Sequence, residues 1–124
     1  MIVHLDTSAL IDALTGPRRS LDDLVRLVDD GHRLTLSTIV LCEWWRGPRT
    51  DPELAVQQDL FPPEAAVSFG VEEATLAAQL YRSVPRARGR EVDLAIAACA
   101  IANGAAFWTL NPADFRDVPN LRLI

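Results

Sequence analysis

The sequence predicts an α/β fold, a three-layer α/β/α sandwich around a mainly parallel central sheet. Three observations predict it. Short apolar runs of strand length alternate with segments of helical periodicity. One helical segment is apolar nearly all round, a composition that belongs to a buried helix. Glycine and proline punctuate the junctions, and the resulting order of strands and helices is that of crossover-connected parallel strands.

Taken in order, residues 2–5 form a brief apolar run that ends at Asp6 and predict a buried strand. Thr7 and Ser8 offer a helix cap, a short helix follows over residues 9–14, and Gly16-Pro17 stops it. Ser20 followed by Asp23 has the spacing of a capping box, and Leu21, Leu24, Val25 and Val28 recur on one helical face, predicting a helix over 20–30 that Gly31 ends. Residues 34–37 predict a second strand, 38–46 a helix stopped by Gly47-Pro48, and 52–60 a further helix closed by Pro62-Pro63.

Residues 65–68 are a weaker strand candidate. Val71, Ala74, Ala78 and Tyr81 form the stripe of a helix over 71–83, and 85–90 reads as a loop. The segment 91–103 is the all-apolar helix, with Gly104 at its end. Residues 105–109 and 121–124 predict the remaining strands.

The length, 124 residues, fits one domain spanning 1–124. An apolar content of 49% can fill a core, and 23% charged residues is a globular share that argues against disorder. No apolar run is long enough to cross a membrane, and the start of the chain lacks the basic region of a secretory signal, so a cytoplasmic protein with no membrane partner is expected. Cys42 and Cys99 both lie in apolar stretches without ligand-spaced Cys or His, and are expected to be buried free thiols. His4 and His32 likewise lack ligand spacing.

The net charge of -5 argues against a broad phosphate-tracking surface. Yet every basic residue is arginine, whose planar fork suits phosphate; GC-rich codon usage explains the same bias without any function.

Four acids stand in unusual places. Asp6 closes the first strand, where open α/β sheets bind ligands, although Asp is equally a good helix cap. Glu43 is the only charge in Ile39-Val40-Leu41-Cys42-Glu43-Trp44-Trp45, and a buried carboxylate is costly unless it is paired or metal-bound; Arg46, one turn on, is a possible partner. Asp93 opens the apolar helix, where the helix dipole alone would favour it. Asp114 follows a strand in Asn111-Pro112-Ala113-Asp114, a sequence that also makes a good turn. Four carboxylates at one sheet edge repel one another and persist at neutral pH if a cation neutralises them, and all-oxygen donors suit Mg²⁺ or Mn²⁺ better than Zn²⁺.

The segments carrying these acids resemble the motifs of the PIN-domain family, and specifically the VapC-type toxins of bacterial toxin–antitoxin pairs. The opening strand with Asp6-Thr7-Ser8 is similar to the first motif, and Ser37 to Gly47 with Glu43 to the second. Asp93-Leu94-Ala95-Ile96-Ala97-Ala98 is similar to the third, and Thr109-Leu110-Asn111-Pro112-Ala113-Asp114-Phe115 to the fourth. The resemblance covers nearly the whole chain. It implies a Mg²⁺- or Mn²⁺-dependent endoribonuclease that cuts cellular RNA and halts translation, a cognate VapB-type antitoxin, and a homodimer.

On that reading Asp6, Glu43, Asp93 and Asp114 hold the metal and carry catalysis, while Thr7, Ser8, Thr109 and Asn111 orient ligands or waters. Arg82, Arg86, Arg88 and Arg90, clustered just before the helix of Asp93, either meet RNA or form a solvated basic loop. The Trp44-Trp45 pair is bulkier than the motif leads one to expect, and belongs either to the core or to a partner contact.

Two other classes place acids similarly. A phosphoaspartate enzyme of the haloacid type wants a second Asp two residues after the first, where this chain has Ser8. A receiver domain wants a strand-end lysine, and this chain has none. A non-catalytic interaction domain would use the acids only as caps and surface charge.

Overall fold

The computed structural model describes residues 1–124. Its sheet has three strands, β1 (Ile2–Leu5), β2 (Arg33–Thr35) and β3 (Ala106–Trp108), all parallel and in the order β2-β1-β3. Parallel neighbours need long crossovers. Helices α1 (Thr7–Leu14) and α2 (Leu21–Asp29) carry the chain from β1 to β2. Helices α3 (Thr38–Arg46), α4 (Asp51–Leu60), α5 (Val71–Ser83) and α6 (Glu91–Ala102) carry it on to β3. The chain leaves β1 toward one edge and returns on the other side of it, so the strand order reverses at β1. In such sheets the crevice outside the carboxyl ends of the strands is the natural ligand site. Leu5 registers with Trp108, which brings Asp6 and Thr109 side by side at that mouth.

β1 is central because its side chains suit burial on both faces: Val3, His4 and Leu5 have no exposed surface. α6 is the other buried element. Leu94 through Ala100 are seven consecutive buried residues, and their many alanines let neighbouring elements approach closely. Phe107 of β3 packs its ring 4.9 Å from that of Phe115. Truncating so buried an aromatic costs about 3–5 kcal/mol.

Gly31 and Gly104 end α2 and α6 as expected, each at positive φ. After α6, Ala105 N–H reaches the Ala100 carbonyl and Gly104 N–H that of Ile101, which satisfies carbonyls the helix end would leave open.

Several local expectations are corrected. Helix α1 begins at Thr7 and its cap is Asp6, not Thr7 or Ser8. Ser20 makes no capping bond; its hydroxyl instead donates to Asp12, eight residues back, so a tertiary acceptor outcompetes the local one. β2 is displaced toward Arg33, because Ser37 leaves the strand to cap α3, accepting from Val40 N–H at 3.1 Å. Residues 65–68 form no strand: a 3₁₀ turn (Pro63–Ala65) is followed by a single bridge between Val67 and Ser37. The C-terminal segment is tied to β3 by one bridge, Phe107 to Leu123.

Cys42 is exposed and only Cys99 is buried, because α3 turns Val40, Leu41 and Trp44 inward. No helix is long and apolar enough to cross a membrane. His4 donates or accepts at Nδ1 with Thr35 Oγ1 (2.7 Å), while its Nε2 has no partner. Burial pushes its pKa down to about 4, so the ring is neutral at pH 7.

Candidate active site

Asp6 is the most constrained of the four acids. It is 6% exposed and lies at the junction of β1 and α1. One carboxylate oxygen accepts from Thr7 N–H at 2.9 Å; the other accepts from the hydroxyls of Ser8 (3.0 Å) and Thr109 (2.7 Å). Those hydroxyls are themselves oriented: Leu110 N–H donates to Ser8 Oγ and Asn111 N–H to Thr109 Oγ1, each at 3.1 Å. The cap function and the strand-end position therefore coexist in one residue. Burial raises the Asp6 pKa, the three donors work against that, and the nearby Glu43 charge adds to the rise.

Glu43 projects from α3 toward the start of α1. Thr7 Oγ1 donates to its Oε1 at 2.6 Å, so Thr7 serves both acids, through its N–H and its hydroxyl. Arg46 holds Oε2 at 3.2 Å. The pairing with Arg46 foreseen as an alternative is present, and it leaves Glu43 at the rim with its side chain 21% exposed.

Asp93 stands in the first turn of α6. Burial is the largest cause that raises its pKa; the charges of Asp6, Glu43 and Asp114 follow in that order, and Arg90 opposes them. The fold thus gathers all four acids into one electrostatic neighbourhood. Asp93 and Asp114 share an open polar groove with Pro85, Arg86, Arg90, Ala113 and Asp117. Asp114 ends the 3₁₀ turn Pro112–Asp114. As the side chains stand, no three of the acids converge into a ready-made ligand shell. Asp6 turns both oxygens to protein donors and Glu43 turns its own to Thr7 and Arg46.

Thr7, Ser8 and Thr109 contact the acids directly. Asn111 reaches only the Thr109 hydroxyl, through its backbone N–H, and its side chain is exposed. The arginines divide. Arg82, Arg86 and Arg88 are exposed, and Arg86, at positive φ, lines the groove beside Asp93. Arg90 is not a free cation: its guanidinium is bound by both carboxylate oxygens of Asp117 and by the carbonyls of Pro85 and Asp114. That pairing raises the Arg90 pKa and lowers that of Asp117. Asp117 was not among the residues expected at the site. It sits in an acidic, solvent-facing turn, and only its distance to a residue 27 positions away reveals it.

Trp44 belongs to the core, and Trp45 is half-exposed.

The chain belongs to the PIN-domain family, a family of nucleases: the PIN domain model matches residues 3–121. Among solved structures the same fold occurs in VapBC2 from Rickettsia felis bound to a DNA fragment from their promoter. It is 22% identical, covers 100% of this chain and 98% of that one, and has a TM-score of 0.76. DNA-bound VapBC from Salmonella typhimurium is 21% identical over 100% and 97% of the two chains, with a TM-score of 0.75. VapBC-5 from Mycobacterium tuberculosis, a toxin–antitoxin system, is 20% identical over 99% and 97%, with a TM-score of 0.64. No curated protein sequence matches the chain.

Proposed function

We propose that this protein is a VapC-type toxin, an endoribonuclease dependent on Mg²⁺ or Mn²⁺, with Asp6, Glu43, Asp93 and Asp114 as its metal-holding and catalytic residues. The observation that carries the reading is the placing of Asp6 and Asp93 at the mouth of a parallel sheet, where burial and neighbouring carboxylates raise the proton affinity of both. The donor set fits a hard divalent cation: it is all carboxylate, and His4, buried within β1, is bonded to Thr35 instead. A cation would relieve the repulsion that the fold imposes on the acids.

The bound metal would supply a Lewis acid for the scissile phosphate and lower the pKa of an attacking water. Asp6 and Asp93 would hold it from the two buried elements, and Glu43 and Asp114 would complete the set from the rim. Thr109, Ser8 and Thr7 fix the carboxylate of Asp6 at the mouth of the sheet. Thr7 couples that orientation to Glu43. Asn111 secures Thr109 through its backbone N–H. Arg82, Arg86 and Arg88 offer exposed positive charge to RNA, Arg86 from the wall of the groove that holds Asp93.

The likeness to VapBC complexes supports a VapB-type antitoxin as partner. We further take the toxin to be a homodimer that acts in the cytoplasm and inhibits translation. The test is to map cleavage ends in total RNA after induction of the wild type and of Asp6→Asn. New ends should appear with the wild type alone, and with purified protein only when Mg²⁺ or Mn²⁺ is present. Equal cleavage by Asp6→Asn, or full cleavage in chelator, would sink the reading.

A further inference from the structure

Arg90 caps the start of α6, three residues before Asp93. Its Nη1 donates to Asp117 Oδ2 (2.9 Å) and to the Pro85 carbonyl (3.1 Å). Its Nη2 donates to Asp117 Oδ1 (2.7 Å) and to the carbonyl of Asp114 itself (2.9 Å). One side chain therefore ties three segments: the loop before α6, α6, and the turn that presents Asp114. Phe115 anchors the same turn from below, its ring against Phe107. Phe115 sets how deep the turn sits; no other hydrogen bond joins the 112–117 turn to α6, so Arg90 sets where Asp114 stands relative to Asp93.

The geometry needs a planar fork with parallel donors. A lysine ammonium could satisfy one of these acceptors well but not the bidentate carboxylate and both carbonyls together. Arg90 is also sheltered, with its side chain 20% exposed, and Asp117 is 38% exposed. A guanidinium so occupied has little left to offer a phosphate.

We infer that Arg90 and Asp117 form one positioning clamp that holds Asp114 beside Asp93, so that metal affinity depends on an ion pair that does not itself touch the metal. The inference rests on the metal-dependent reading above. Residues that orient metal ligands commonly change affinity by on the order of ten- to a hundredfold when replaced.

The experiment is calorimetric titration of Mn²⁺ into the full-length protein, without RNA. It compares wild type, Arg90→Lys, Asp117→Asn, their double variant, and Asp117→Asn in an Asp114→Asn background. Each single variant should bind Mn²⁺ about tenfold more weakly or worse. The double should be no worse than the weaker single, and Asp117→Asn should add nothing once Asp114 is already Asn. Should Arg90→Lys fold poorly, Asp117→Asn carries the test, since it leaves the bonds to the Pro85 and Asp114 carbonyls in place.

Unchanged affinity in folded Asp117→Asn would overturn the clamp. So would an effect that adds in full to that of Asp114→Asn, because the pair would then act elsewhere. A wild type that binds no Mn²⁺ would instead defeat the metal-dependent reading on which the clamp stands.

Discussion

Glu43 and Trp44 are neighbours on α3, yet their polar atoms end in clusters built on opposite terms. Trp44 enters a closed network. Gln57 of α4, 1% exposed, accepts from the indole N–H of Trp44 (3.2 Å) and of Trp45 (3.3 Å), and donates to the Phe61 carbonyl at 3.1 Å. Arg49 donates to the Trp44 carbonyl at 3.0 Å and stacks its guanidinium 4.3 Å from the ring centroid. Both indole N–H groups there find an acceptor. Glu43 enters the carboxylate cluster, where its charge adds to the burial that raises the proton affinity of Asp6 and Asp93. The first cluster stabilises the fold and has no chemistry to perform. In the second, burial and like charge disfavour the ionised Asp93, which is left open at a groove. The difference shows that one nine-residue helix serves both purposes, by turning adjacent residues to different neighbours.

The largest effect expected is on catalysis. Asp6→Asn and Asp93→Asn keep the shape of each side chain while removing the charge, so RNA cleavage should fall to the level seen without metal, with circular dichroism unchanged. A cleaving, folded Asp93→Asn variant would break the contrast, because the open cluster would then have no function to set against its cost. Next in size is the response to metal. Mn²⁺ at about a hundred times its dissociation constant should stabilise the wild type by about 2.7 kcal/mol. Thermal melts should show the rise in wild type and lose it in Asp6→Asn. An equal rise in both would place the bound ion elsewhere.

Much of this arrangement is legible in the sequence, and unevenly so. Asp6, Glu43 and Asp93 announce themselves because a carboxylate in an apolar run is expensive, and α6 does because nothing but burial accommodates its composition. Asp114 is legible only through resemblance, since its turn explains it equally well. The clamped state of Arg90 is not legible, for a physical reason: its partners Asp114 and Asp117 lie more than twenty residues on, and nothing local separates a solvated arginine from a clamped one. The exposure of Cys42 was hidden by the adjacent tryptophans, which make all of α3 look apolar when only one face is buried. Ser20 and Ser37 go opposite ways: Ser37 caps its own helix locally, whereas the fold brings Asp12 to Ser20 and that acceptor displaces the local cap.

The closed cluster supplies the next prediction. Gln57→Leu keeps the bulk but removes the shared acceptor. Trp45 is half-exposed and can turn to water, whereas Trp44 is fully buried and its N–H would be left without a partner. The expected loss is about 2 kcal/mol, read from urea unfolding followed by tryptophan fluorescence. Mn²⁺ affinity should change little. Loss of metal binding in the folded variant would show that the two clusters are mechanically one.

The smallest effect runs in the other direction. In metal-free protein Asp93→Asn removes a charge that burial and three neighbouring carboxylates disfavour, so it should stabilise, by about 0.5 kcal/mol after allowing for solvent screening of a half-exposed group. The sign with pH follows from the raised pKa. The folded state holds the Asp93 proton to higher pH than the unfolded chain does, so the wild type is penalised above the folded pKa and the penalty disappears as pH falls through it. The gain from Asn should therefore be present at pH 7 and vanish in acid, where protonation neutralises the wild-type carboxylate as well. Urea titrations of both proteins at the two pH values measure it. A variant less stable than wild type at pH 7, without metal, would mean that Asp93 is held by favourable contacts that outweigh the repulsion, and the two clusters would then differ in exposure alone.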